Sequence, residues 1–137
     1  MAASAGRPGW PERIETVLLD AGGVLLDLDY AYLRRLVEAR QVEVDEQQLA
    51  RLEAMARLEI HRQVSKGGRV SDAWRDYFHI ILNQVGLPSD SRGAIIDALW
   101  EAHQRVGLWT IPIDGGPRTV AELKRRGYRL GVVSNAE

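Results

Sequence analysis

Cysteine is absent from the 137 residues. That excludes disulfides, thiolate metal sites and a Cys nucleophile, and it fits a reducing compartment, so a cytoplasmic location is expected. An excess of one charge is missing too: 18 Lys and Arg oppose 19 Asp and Glu, a formal net charge of −1. No overall field draws the chain to a polyanion, and neither nucleic acid nor a membrane surface is expected as a partner. The longest apolar runs fall well short of the roughly 20 residues a membrane-spanning helix requires. The opening MAASAGRPGWPE holds no apolar segment that would serve as a signal-peptide core, and residues 1–15 read as a flexible lead-in. There is no internal repeat and no low-complexity tract. Oligomeric state is left open.

What is present is the composition of a soluble globular domain, 45% hydrophobic and 27% charged. TVLLD at 16–20 is a short continuous apolar run stopped by a turn signal, the pattern of a strand buried on both faces of a parallel sheet. YRLGVVSN at 128–135 has the same form. Between them the apolar period is helical. A short pattern near 31–39 carries Tyr32, Leu33, Leu36 and Val37; a longer one carries Leu49, Leu52, Ala56, Ile60 and Val64, and KGGR at 66–69 ends it. Ser71 is the expected cap of a stripe through Trp74, Tyr77, Phe78, Ile81, Leu82 and Val85. Ser89 or Asp90 is the expected cap of another through Ile95, Ile96, Leu99, Trp100 and Val106. WTIPIDGGP at 109–117 reads as a connector, and RTVAELKRRGY as a helix ended by Gly127. The order strand, long helical insertion, helix, strand is a βαβ crossover carrying far more than the ~30 residues such a unit requires.

This arrangement resembles the haloacid dehalogenase-like hydrolases. The family's first signature, an apolar strand, then Asp, any residue, usually a second Asp, Gly, and Thr or Val, stands here as Asp20, Ala21, Gly22, Gly23, Val24 and Leu25. Its second, an apolar strand ending in Ser or Thr, stands as Leu130, Gly131, Val132, Val133, Ser134 and Asn135. Pro112 and Gly115 ahead of VAELKRRGY resemble the family's connector. The resemblance implies an α/β fold: a Rossmann-like parallel core, incomplete in this chain, with an inserted helical cap. The expected divisions are 16–28 for the first core strand and catalytic loop, 29–110 for the cap, and 111–137 for the crossover helix and second core strand.

The resemblance also implies a chemistry. Asp20 would be the nucleophile, attacking the phosphorus of a small-molecule phosphate ester to give an aspartyl-phosphate. Mg²⁺ would be held by Asp20, by the backbone carbonyl of Gly22 and by an acid further along the chain. Ser134 and the main-chain groups around Ser134 and Asn135 would bind phosphoryl oxygens, and Gly23 would permit close backbone approach or a positive φ. Gly22 departs from the pattern, because most phosphatases of the family carry there an Asp that serves as general acid and base. Three readings follow: a phosphatase whose leaving group takes its proton elsewhere, a dehalogenase-like enzyme whose halide needs none, or a catalytically silent homologue acting as an interaction module.

Asp27 and Asp29 lie at the start of the cap and read as solvated hinge residues. His61, His79 and His103 lack metal-pair spacing, and Lys124, Arg125 and Arg126 read as a solvated helix end. The family's Lys and acidic pair, which follow the second signature, match no residue here; Lys66 and Lys124 lie upstream of it. Two such strands alone leave apolar faces and edges uncovered, so a longer chain, of roughly 200 residues or more, is expected. No G-x-G-x-x-G follows the first strand, which argues against a dinucleotide site.

Overall fold

A computed structural model describes residues 14–67 and 70–134, the side chains of 70–72 excepted. The elements run β1 (Thr16–Asp20), β2 (Leu26–Leu28), α1 (Tyr30–Glu38), α2 (Glu46–Ser65), α3 (Val70–Gln84), α4 (Ser89–Val106), β3 (Trp109–Pro112), α5 (Gly116–Arg125) and β4 (Arg129–Val133). They divide into two units. One is built from the chain up to Asp27 together with the chain from Ile111 onward; the other is Leu28–Thr110.

The first unit centres on β1 and β4, which pair in parallel from Thr16↔Arg129 to Asp20↔Val133. The ladder is anchored at its start by the Arg129 amide, which donates to the Glu15 carbonyl at 2.8 Å. Gly131 sits opposite Leu18, and a Cβ there would stand 2.9 Å from Leu18 Cδ2, so the leucine lies across the glycine. None of this unit's described apolar side chains is fully buried: Leu18 is 65% exposed, Val132 61% and Val133 58%. A parallel strand normally has both faces covered. Here the residues that spell a doubly covered strand have no such cover among the described residues.

The second unit holds the entire buried core of the described residues, from Leu28 to Leu108, with Phe78, Ile81, Leu82, Leu49 and Val37 fully enclosed. Each such side chain contributes about 1.5–3 kcal/mol of burial. α1 and α2 begin where their sequences supply a carboxylate: Asp29 Oδ1 accepts from Tyr32 N at 2.8 Å, and Asp45 Oδ1 from Gln48 N at 2.6 Å. The caps expected for the next two helices are displaced. Ser71 falls inside the first turn of α3, and α4 starts at Ser89 after Pro88, with no side-chain cap bond. Pro88 stands at the N-cap with φ −57°, and its ring offers no acceptor to the first-turn amides.

Two short strands were not legible. β2 and β3 pair with each other as a second two-stranded sheet, and the chain passes between the units through both of them. At three and four residues, with Pro112 in one, they fall below the length at which alternation is readable. Just inside the helical unit, the Asp29 amide donates to the Leu108 carbonyl at 2.9 Å. No helix of the described residues is long and apolar enough to cross a membrane.

Candidate active site

β1 ends on Asp20, and the register sets Asp20 beside Val133. Ser134 follows at once, so the carboxylate and the hydroxyl leave the C-terminal ends of two adjacent parallel strands. In open parallel sheets this is the end at which ligands bind. Both residues are exposed. Asp20 Oδ1 accepts from the Ala21 amide at 2.7 Å, which fixes the carboxylate's rotation and leaves the second oxygen without a hydrogen bond among the described residues.

The turn after Asp20 curls back on itself. The Leu25 and Leu26 amides both donate to the Ala21 carbonyl at 2.9 Å, and the Gly23 amide donates to Leu26 O at 2.8 Å. Gly23 adopts φ 76°, as its place in the turn requires. The bridge between Gly22 and Leu26 is made through Ala21 O and Gly23 N, so the carbonyl of Gly22 accepts nothing among the described residues. The connector closes the other side of the loop: Ile113 N donates to Leu25 O at 3.0 Å, and a Cβ on Gly116 would stand in ordinary contact with the same carbonyl, 3.7 Å away.

The structure therefore brings Asp20, Gly22, Gly23 and Ser134 into one unit, around the ends of β1 and β4. Asn135 lies outside the described residues. The second oxygen of Asp20 and the Gly22 carbonyl are hard donors of the kind Mg²⁺ takes, and they fit a part of its coordination shell. No group of three His, Cys, Asp or Glu that would hold a metal ion occurs among the described residues.

Asp29 is occupied as the cap of α1. It also lines a cavity of about 370 Å³ in the helical unit, with Tyr32, Glu101, Arg105, Leu108 and Thr110. Arg125 and Arg126 both bond Glu122 on the exposed face of α5. Their guanidinium groups hold the Glu122 carboxyl below its usual range. His61 and His79 are exposed on α2 and α3, whereas His103 packs among Trp74, Trp100 and Trp109. Of the cap aromatics, Phe78 and Tyr77 are buried and Trp100 is 39% exposed.

One cluster was missed by sequence reasoning. Glu53 is only 3% exposed, the one buried charged residue of those described. Tyr77 Oη donates to its Oε1 at 2.5 Å, and Arg57 donates to both oxygens, through Nη2 at 2.7 and 2.8 Å and Nε at 3.0 Å. Burial first, and the Glu53 charge second, hold the Tyr77 phenol far above its ordinary range. Burial would lower the Arg57 pKa, but the hydrogen bonds and charge of Glu53 outweigh it and raise it. The signal was there to be read: Glu53 falls between Leu49 and Ala56 on the stripe that must face inward.

No protein-family model and no curated protein matches the chain. Solved structures do. A crystal structure of a dehalogenase is 21% identical with a TM-score of 0.57, covering 93% of this chain and 54% of that one. The orthorhombic form of the HAD-hydrolase YfnB from Bacillus subtilis, bound to magnesium and described as revealing interdomain movement, is 18% identical with a TM-score of 0.55. It covers 90% of this chain and 53% of its own. The chain spans about half the length of these structures, and the likeness is one of fold: part of a haloacid dehalogenase-like α/β core with an inserted helical cap.

Proposed function

We propose that this chain is the nucleophile-bearing part of a haloacid dehalogenase-like hydrolase, a cytoplasmic phosphatase acting on a small phosphorylated metabolite. The observation that carries the reading is the parallel register Asp20↔Val133, which delivers the Asp20 carboxylate and the Ser134 hydroxyl to the same end of the sheet. The second oxygen of Asp20 attacks phosphorus in line, a carboxylate–phosphorus bond forms, and the bond to the ester oxygen breaks. Ser134 donates a hydrogen bond to a phosphoryl oxygen as charge spreads over it. With no side chain at Gly22, the departing oxygen takes its proton from water. Water then cleaves the aspartyl-phosphate, returning Asp20 and releasing phosphate. Asp20 and the Gly22 carbonyl are the oxygens that would hold Mg²⁺, whose charge would offset that of nucleophile and phosphate.

Gly22 also favours a second reading, displacement of halide from a small haloacid, because halide leaves without a proton. Release of nitrophenol from an aryl phosphate, with and without EDTA, and release of chloride from 2-chloropropionate separate the two. Magnesium-dependent phosphatase activity that falls by roughly a thousandfold or more in Asp20→Asn is expected, the scale of removing a covalent nucleophile. Metal-independent halide release selects the second reading. Phosphatase activity that survives Asp20→Asn overturns the mechanism.

A further inference from the structure

The cavity in the helical unit lies where α1 begins and α4 ends, and its volume of about 370 Å³ falls within the range usual for small-molecule sites, roughly 300–1,000 Å³. The space exists because α4 turns small side chains toward it. Ala98, Ala102 and Val106 line it at four-residue spacing, so they form one apolar ridge. Leu108, 2% exposed, continues that apolar lining, and the half-buried Tyr32 lines it from α1.

The charges around this ridge do not cancel. Two carboxylates, Asp29 and Glu101, face one guanidinium, Arg105. Arg105 Nη2 lies 3.9 Å from Glu101 Oε2, so those two offset each other. Asp29 gives Oδ1 to the Tyr32 amide, and its second oxygen accepts no hydrogen bond among the described residues. The helix ends add little to the balance, because the positive end of α1 and the negative end of α4 meet here and oppose each other. One negative charge is therefore left beside an apolar wall. A metal ion is a poor match, since no group of three His, Cys, Asp or Glu that would hold one occurs among the described residues and half of the lining is hydrocarbon. An ammonium group on an apolar body matches both parts.

We infer that the cavity between α1 and α4 binds a small organic ammonium ion. Its N–H groups donate to the second oxygen of Asp29, and its apolar part lies along Ala98, Ala102 and Val106. The site lies wholly within the helical unit and does not depend on the chemistry assigned to Asp20.

The test is a titration of ¹⁵N-labelled protein with phenethylammonium, with uncharged 2-phenylethanol and with anionic 3-phenylpropionate, read at the amides of Tyr32, Ala102 and Leu108. Saturating shifts with the ammonium below about 10 mM, and no saturation with the other two over the same range, are expected. Asp29→Asn keeps an acceptor for the Tyr32 amide, since Asn caps a helix as well as Asp does, but removes the charge. Binding at least about tenfold weaker is expected in that variant, the scale of one charge-assisted hydrogen bond, with an unchanged circular dichroism spectrum. Ala102→Leu fills the cavity and is expected to abolish saturation. Absence of saturation with phenethylammonium, equal binding of the alcohol or the carboxylate, or full affinity in Asp29→Asn overturns the inference.

Discussion

Replacing Tyr77 by Phe removes one oxygen and leaves the ring. The ring keeps its edge-on contact with Phe78, centroids 4.9 Å apart, so little apolar packing is lost. What disappears is the hydrogen bond from Oη to Oε1 of Glu53, a carboxylate 3% exposed. Glu53 keeps its fork to Arg57 and stays paired, so the cost is that of one bond to a charged acceptor, roughly 1.5–3 kcal/mol. In a helical unit of about 80 residues that lowers the melting temperature by on the order of 10 °C.

Alkaline pH supplies an independent readout. The phenol's ordinary value is 10.0, and the folded protein holds it well above that. Above pH 10 the unfolded chain gives up this proton while the folded chain keeps it, so the unfolded state binds fewer protons and stability falls as pH rises. The contribution is intact below pH 10 and is lost at up to about 1.4 kcal/mol per pH unit above it. Urea melts followed by circular dichroism at pH 7 and between pH 10 and 11.5 measure both effects. A Phe variant within about 0.5 kcal/mol of the parent at pH 7, with the same alkaline slope, would refute the account.

Two smaller changes probe local geometry. Asp45→Ala deprives the Gln48 amide of its 2.6 Å acceptor and is expected to cost about 1 kcal/mol, read as a shifted urea midpoint with an unchanged slope. Gln41, just past α1, is held at φ 62°. Gln41→Gly is expected to stabilise by a few tenths of a kcal/mol, because relief of the left-handed strain exceeds the added freedom of the unfolded chain, and a thermal melt reads the sign.

The strands and helices that carry strong periodicity were readable because burial repeats along them: Leu49 and Ala56 on α2, or Phe78, Ile81 and Leu82 on α3, recur at helical spacing. The pairing of Asp20 with Val133 was readable in outline, since each ends an apolar run at a turn. Ser71, Ser89 and Asp90 misled because capping preference is local, whereas the start of α4 is set by Pro88. Glu53 escaped because its spacing matched the inward stripe while its chemistry did not, and only the partners Tyr77 and Arg57, one of them 24 residues away, reconcile the two. Asp29, read as a solvated hinge residue, acts as a cap because the Tyr32 amide three residues on needs an acceptor.

The hydrogen bond from the Asp29 amide to the Leu108 carbonyl makes the helical unit begin and finish at neighbouring points. A detour whose exit adjoins its entrance leaves the route of the flanking chain unchanged however long the detour becomes. Lengthening or shortening a loop inside such a module is therefore expected to leave its two end points, and the chain that leads to them, in place.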